Sequence, residues 1–255
     1  MAQIFHPAAN TLARLALVFL GFVGPLGTIV VASAITRSSA NTKVGVPVDQ
    51  PAPFSHEHHS VELGIDCRYC HTSVEKSSYA GVPPTETCMS CHSQIWTNSP
   101  LLEPVRQSYA TGQPLVWNQL HAVPEFVYFP HNIHINRGVS CNNGHGPIQK
   151  EMLASRGQAF FMVWCLNCHR QPEKFVADRN DVWKLYQDIQ KFGYAVDKEH
   201  DKDDPNRTGL TPREASLAQG SYTEATGKEE AHGKELLNQY HVKKEQLTDC
   251  WTCHR

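Results

Sequence analysis

The sequence predicts a mainly helical chain with extensive irregular segments, one N-terminal membrane helix and little β structure. Strand patterns are sparse, whereas residues 181–192 and 228–244 combine helix-favouring residues with a helical spacing of apolar side chains. One N-terminal segment is almost free of charge. Apolar residues make up only 40% of the 255 residues, while the chain holds 9 Cys and 15 His. We therefore expect that Cys and His help to hold an interior that apolar side chains do not fill alone.

The N-terminal segment has the length and composition of a membrane span. Residues 15–35 form an almost unbroken apolar run, and about 21 residues suffice to cross the hydrocarbon core as a helix. Membrane helices tolerate the proline at position 25. The alternative is a signal peptide cleaved at the small residues 32–34, but the run is longer than a usual signal core. We predict a signal anchor at 1–36, followed by a Ser- and Pro-rich tether at 37–53.

The cysteines fall into one repeated motif. Eight of the nine form four Cys-x-x-Cys pairs, each followed directly by His: CRYCH (67–71), CMSCH (88–92), CLNCH (165–169) and CWTCH (250–254). In this motif each thiol forms a thioether with one vinyl group of haem c, and the His binds the iron as proximal ligand. The ninth cysteine opens CNNGH (141–145), the same frame with Gly144 in place of the second Cys. The predicted thioether residues are Cys67, Cys70, Cys88, Cys91, Cys141, Cys165, Cys168, Cys250 and Cys253, and the predicted proximal ligands are His71, His92, His145, His169 and His254.

Other uses of paired cysteines are less consistent with this pattern. Cys-x-x-Cys pairs also build zinc sites, and disulfides are a further alternative. A His after every pair, and even after the incomplete copy, favours haem. At the incomplete copy we expect Cys141 to form a single thioether and His145 to remain available as an iron ligand. The alternatives are that this haem has been lost or that the sequence contains an error at position 144. We therefore predict five haem c groups, one of them attached through Cys141 alone.

An internal repeat contains the first four attachment strings, by which we mean the five-residue segments 67–71, 88–92, 141–145 and 165–169 that begin with Cys and end with His. The repeat also indicates distal ligands. Residues 54–128 and 129–175 form two paired-haem modules, which each begin with Phe-x-His-x-x-His and continue with two attachment strings, with an offset of 74 to 77 residues. In a helical turn, His residues at i and i+3 lie near each other but point along different lines, so that each can cap a different haem. His58 lies outside the repeat and is expected at the surface or beside a propionate. The predicted distal ligands of this kind are His56, His59, His131 and His134.

The fifth distal ligand has several candidates. Met162 precedes Cys165 by three residues, and His241 precedes the last attachment string. Met152 and His121 are weaker candidates. A buried Met is more often a packing residue than a ligand, but a thioether ligand raises the haem potential. The residues alone leave Met162 and His241 open.

The segment 176–249 differs in composition from the rest of the chain. It is rich in charge and includes an expected solvated loop at 200–209 between the two predicted helices. We interpret it as a partner-contacting segment, followed by the fifth attachment site at 250–255. The formal net charge of -2 supplies no basic excess, so we expect no nucleic-acid partner.

Several strings together resemble one family. They are FSHEHHSVELGIDCRYCHTSVE (54–75), PPTETCMSCHSQIW (83–96), SPLLEPVRQSY (99–109), FVYFPHNIH (126–134), WCLNCHRQPEKF (164–175) and LTDCWTCHR (247–255). The chain resembles the pentahaem cytochrome c subunit of bacterial alternative complex III, a quinol:cytochrome c oxidoreductase. The resemblance implies one His/Met haem and thereby favours Met162 as the fifth distal ligand. Gly144 departs from the family pattern, which has Cys there.

The resemblance also implies a place in an electron-transfer complex. In that family quinol is oxidised in polytopic subunits, and electrons pass through an iron–sulfur subunit, then through five haems, to a monohaem cytochrome c or a terminal oxidase. Covalent haem is assembled outside the bacterial inner membrane, so we expect a single-pass chain with its bulk in the periplasm. Irons with two axial ligands cannot bind substrate, which predicts an electron-transfer subunit that is not catalytic alone. The alternatives are a stand-alone membrane quinol dehydrogenase that feeds periplasmic reductases and a haem-storage or sensor protein.

Overall fold

The computed structural model describes residues 6, 8–220 and 227–254 and confirms a mainly helical fold. Within these ranges the β structure consists of isolated bridges, namely Pro47 with Ser155, Val127 with His254, and Val196 with Leu210. The chain divides into two compact units, Met1–Val44 and Gly45–Arg255.

The first unit contains one long apolar helix. It consists of α1 (Ala9–Val18), a π-helical turn (Phe19–Val23) and α2 (Gly24–Arg37), and a short α3 (Ser39–Thr42) follows. The π turn ends two residues before Pro25, whose missing N–H interrupts the α-helical hydrogen-bond ladder. The continuous helix Ala9–Arg37 has 29 residues and a mean hydropathy of 2.3. By length and composition it can cross a membrane, and a signal sequence near the N-terminus meets the same criteria.

The second unit consists of short helices joined by long irregular segments. Its helices are α4 (Cys67–Cys70), α5 (Thr85–His92), α6 (Glu103–Thr111), α7 (His131–Asn136), α8 (Cys141–His145), α9 (Met162–Arg170), α10 (Asp181–Phe192), α11 (Pro212–Ala218), α12 (Lys228–Gln239) and α13 (Cys250–Cys253). Shorter turns are π-helical at Glu57–Glu62 and 3-10 at Pro100–Leu102, Ile148–Lys150, Pro172–Lys174 and Lys244–Gln246. The cysteines of all five attachment strings lie in helices. Side chains cap α4 and α8, since Asp66 accepts the N–H of Arg68 at 2.8 Å and Ser140 accepts the N–H of Asn142 at 3.4 Å.

The amphipathic helix α10 contributes to two of the three buried apolar clusters of the described residues. Its buried residues recur at helical spacing and form two clusters. One joins Leu185, Tyr186 and Ile189 to Leu210, Ala215 and Ala218. The other joins Val182 and Trp183 to Val74 and Ile135. Cys67 and Cys141 pack against both clusters, so α10 brings one attachment site from each repeat onto a shared core.

The charged segment is partly predicted by its sequence. The helix expected at 181–192 is confirmed at both ends. The prediction for 228–244 is wrong at its C-terminal end, because the helix ends at Gln239. His241 adopts a left-handed φ of 54°, and the N–H groups of His241 and Val242 donate to the carbonyls of Asn238 and Leu237, which is a Schellman ending. The loop at 200–209 forms, but Arg207 is buried there and pairs with Asp188 at 2.5 Å and Glu214 at 2.9 Å.

Gly233 provides a test of the packing of α12. A Cβ at this position would stand 1.9 Å from the carbonyl oxygen of Glu173 in the Pro172–Lys174 turn. We expect Gly233→Ala to lower the free energy of unfolding by about 2 kcal/mol, because backbone must shift to admit the methyl group. Chemical denaturation followed by circular dichroism measures the loss. The exposed Asn238→Ala in the same helix is the control, and equal stability of the two variants would contradict the packing described.

Candidate haem sites

The two Phe-x-His-x-x-His segments adopt the same local geometry. The ring centres of Phe54 and His56 are 4.9 Å apart at 87°, and those of Phe129 and His131 are 5.0 Å apart at 87°. The second histidine of each segment stacks on the same Phe, with centre distances of 4.4 Å for His59 and 4.2 Å for His134. The sequence repeat is therefore also a structural repeat. His56 and His131 have the same orientation relative to their Phe, and so do His59 and His134.

Three of the predicted distal histidines face predicted proximal histidines at one common distance. The ring centres are 6.2 Å apart in each pair: His59 with His92, His131 with His145, and His134 with His169. A metal–imidazole bond of about 2 Å, with roughly 1 Å more from the nitrogen to the ring centre, separates two axial imidazoles by about 6 Å. The spacing therefore fits an iron held between the two rings of each pair.

Backbone carbonyls fix the ring orientation at most of these histidines. A carbonyl oxygen can only accept, so an Nδ1 bonded to it must carry the proton, and Nε2 is left with its lone pair for iron. Among the predicted proximal ligands, the Nδ1 atoms of His71, His92 and His169 donate to the carbonyls of Gly81, Ile95 and Leu247 at 2.7, 3.2 and 2.8 Å. Among the predicted distal ligands, those of His59, His131 and His134 donate to the carbonyls of Ser55, Ser78 and Pro130 at 2.8 Å each.

Burial keeps several of these imidazoles neutral. Burial, together with neighbouring His71 and His59, lowers the pKa of His56 to about 4. Burial also lowers the pKa of His134 to about 4 and the pKa of His145 well below its ordinary value. Only the neutral ring has a free nitrogen lone pair, so the environment favours the protonation state that a metal ligand needs. Because His71 contributes to the lowered pKa of His56, these two predicted ligands also lie near each other, and both belong to the first repeat.

The fifth attachment string lies against the segment before α7. His254 donates from Nδ1 to the carbonyl of Phe126 at 3.3 Å, and the two rings stack with centres 5.9 Å apart. The predicted ligand Met162 is the first residue of α9 and is 59% exposed. It shares a helix face with Cys165, which lies near Cys253 of the fifth string. The competing His241 is exposed and follows the end of α12 instead.

The attachment cysteines lie in neighbouring groups, and no disulfide joins them within the described ranges. Burial, together with the adjacent Cys141, raises the pKa of Cys67 to about 12. Burial and the nearby Cys88 raise the pKa of Cys70. The string at 67–71 therefore lies between those at 88–92 and 141–145. Helix α7 carries His131 and His134, whose rings face those of His145 and His169, and Cys165 lies near Cys253. The strings are therefore neighbours in one succession, which we call the row: second, first, third, fourth and fifth.

Two residues at the incomplete string have a larger role than the sequence indicates. His121 is a weak ligand candidate by sequence, yet its ring centre lies 4.2 Å from that of His145, and its Nε2 accepts the N–H of Gly157 at 3.2 Å. Asn142 has the sequence position of a spacer, yet it is buried and hydrogen bonded by its side chain. The position of Asn142 inside an attachment string is the one sequence feature that could have drawn attention to it. Its hydrogen-bond partners could not be predicted, because they lie outside that string.

Comparison with known proteins supports the class of cytochrome. Over 105 residues the chain is 32% identical to the multihaem cytochrome c subunit of menaquinone reductase from Nitratidesulfovibrio vulgaris. The match covers 41% of this chain and 49% of that protein, so the chain spans about half the length of the curated relative it matches. No known family model matches the chain. The similarity supports a multihaem cytochrome c with haem c as its cofactor.

Proposed function

We propose that this chain is a membrane-anchored pentahaem cytochrome c that carries electrons as one subunit of a quinol-oxidising complex. The observation that carries the proposal is the set of histidine pairs whose ring centres are 6.2 Å apart. Each pair includes the His of an attachment string, and most of the rings are held by a bond from Nδ1 to a carbonyl. The multihaem cytochrome c relative supports the same class of protein.

The roles of the chain's own residues follow from this geometry. Haem c, when bound, supplies one-electron chemistry. Eight cysteines in four strings and Cys141 in the fifth would hold the five groups by thioether bonds. The distal set would be His56, His59, His131, His134 and Met162, opposite the five proximal histidines. Because these side chains would supply all the protein ligands that each iron needs, they would exclude substrate from the metal, which suits a carrier and not a catalyst.

The finer assignment follows the resemblance to the pentahaem cytochrome of alternative complex III. In this proposal polytopic quinol-binding subunits and an iron–sulfur subunit supply electrons. A monohaem cytochrome c or a terminal oxidase receives them. The helix Ala9–Arg37 anchors the chain in the bacterial inner membrane, and Gly45–Arg255 lies in the periplasm.

A second candidate differs in the direction of electron flow. The relative belongs to a menaquinone reductase, and a row of sites can carry electrons either way. This chain would then deliver electrons from periplasmic donors to membrane subunits that reduce a quinone.

Redox measurements on the purified complex test the proposal. We expect about five haems per chain by pyridine haemochrome analysis and several one-electron steps in a titration. A quinol analogue should reduce the haems faster than a reduced monohaem cytochrome c does, whereas the reverse order of rates would favour the second candidate. A single-step titration or haem-free protein would contradict both.

A further inference from the structure

The incomplete attachment helix α8 is buried in a way that the other four are not. Its two spacer residues, Asn142 and Asn143, are only 2% and 7% exposed. In the complete strings the spacer residues are exposed or half-buried: Arg68, Tyr69, Met89, Ser90, Leu166, Asn167, Trp251 and Thr252. The string that lacks a cysteine is thus the one whose spacers lie inside the protein.

A buried hydrogen-bond cluster holds Asn142. Its Nδ2 donates to Oε1 of Gln149 at 3.0 Å and to the carbonyl of Leu217 at 2.8 Å. Its Oδ1 accepts from the hydroxyl of Tyr186 at 2.8 Å. Gln149 in turn donates to the carbonyl of Ala218 at 2.7 Å. The amide of Asn142 is therefore bonded to α10, to α11 and to the turn Ile148–Lys150, which fixes α8 relative to three elements.

The irregular segment before α9 encloses the other end of the string. A Cβ on Gly157 would stand 2.2 Å from the carbonyl carbon of His145, so only glycine permits this approach. The Gly157 N–H also bonds to His121, whose ring packs against that of His145. The histidine at the end of α8 is thus positioned by protein contacts as well as by its helix.

The position of the missing cysteine is sterically open. Apart from the adjacent residues and the backbone of its own helix, no atom lies within 4 Å of a Cβ placed at Gly144, and the φ of Gly144 is not in the left-handed region. Crowding at the Cβ and backbone strain therefore do not exclude a side chain there. The buried cluster at Asn142 fixes the helix of the one string that has a single cysteine for attachment.

We propose that the Asn142–Gln149–Tyr186 cluster is a positioning device that replaces the second thioether at the CNNGH site. By fixing α8 it holds His145 at the distance from His131 that iron ligation needs. This inference rests on the proposed function, because it assumes a haem attached at Cys141 and bound by His145. It assigns to Asn142 a role that a spacer residue does not have in the other strings.

Carbon monoxide binding by the reduced full-length protein tests the inference, since an iron that loses one axial ligand binds this probe. We expect Asn142→Leu, which keeps a similar side-chain shape but removes every hydrogen bond of the side chain, to add about one carbon monoxide site per chain relative to the unaltered protein. Tyr186→Phe removes a single hydroxyl and should give a smaller increase. Asn167→Leu, at the exposed spacer of CLNCH, is the matched control and should add none.

Restoring the covalent bond distinguishes positioning from general stability. In the double variant Asn142→Leu/Gly144→Cys, the new thiol adds its sulfur and its proton across the free vinyl double bond, with no other product. We expect this second thioether to return carbon monoxide binding to that of the unaltered protein. A role in stability alone would lower the unfolding temperature of Asn142→Leu without new carbon monoxide binding, and that result would overturn the inference. So would new binding that Gly144→Cys does not reverse.

The haem content separates failure of this inference from failure of the proposed function. The unaltered protein should hold five haems, with a pyridine haemochrome band shifted to longer wavelength by one free vinyl group. Four haems would overturn both the five-haem proposal and this inference. Five haems with Asn142→Leu and Tyr186→Phe both indistinguishable from the unaltered protein would overturn the inference alone.

Discussion

Replacement of His134 by methionine should move one step of the redox titration to a more positive potential, by roughly 0.1 V or more. His134 is stacked on Phe129, donates from Nδ1 to the carbonyl of Pro130 and faces His169 at 6.2 Å. A thioether ligand favours the reduced iron more than an imidazole does, so the potential rises. The fourth site lies inside the row, and a high-potential carrier there would retain electrons and slow their passage to the fifth.

A neighbouring histidine supplies the control for this experiment. His58 lies between His56 and His59 in the sequence, but its side chain is 45% exposed, and its Nδ1 bonds to the carboxylate of Glu62 at 2.6 Å. His58→Met should leave every step of the titration in place. If His134→Met also leaves the titration unchanged while the haem content is intact, His134 is not an iron ligand.

Exchange of residues 1–38 for a cleavable signal peptide should release the haem protein from the membrane almost completely. The most apolar part of the helix Ala9–Arg37 has none of its residues buried within the protein, so its large apolar side chains find burial only in lipid or against partner subunits. A hydrophobic stretch of more than about 20 residues binds a bilayer in effect irreversibly. The released chain should keep its haem content, because the attachment strings all lie in the second unit.

Fractionation with a carbonate wash, followed by mass analysis of the N-terminal peptide, measures this effect. Pro25→Ala preserves the apolar length and should remain in the membrane, which makes it the matched control. Recovery of the unaltered chain in the soluble fraction, with its N-terminus after Ala34, would show that the segment is a cleaved signal.

The sequence predicts those features that depend on neighbours along the chain. The helix at 181–192 follows from local spacing and is confirmed. The attachment strings and the i and i+3 histidines also follow from local spacing, and their use as haem sites stays a prediction. The sequence does not predict that the rings of His134 and His169 face each other, nor the order in which the five strings are neighbours. Both depend on contacts between distant segments. Nor does the sequence predict the Schellman ending at His241, because the left-handed conformation is uncommon for histidine.

The role of Asn142 is hidden in the sequence for the same reason. Leu217, whose carbonyl it contacts, lies 75 positions further along the chain, within the charged region. The charge of that region predicts a partner surface, and this role stays a prediction. Its helix α10 also supplies the main apolar clusters, since charge on one face of a helix does not preclude burial of the other.

The hydrogen bond between Leu247 and His169 has a consequence for the order in which the haem sites would be completed. The carbonyl of Leu247 accepts the Nδ1 proton of His169 and comes from the segment just before the final attachment string. If the chain is exported in the N-to-C direction, as the proposed function requires, CLNCH would reach the attachment machinery before the carbonyl that orients its histidine has crossed the membrane. The fourth site could then be loaded early but completed only when the last segment folds back, so its spectrum would report whether export of a given molecule has finished.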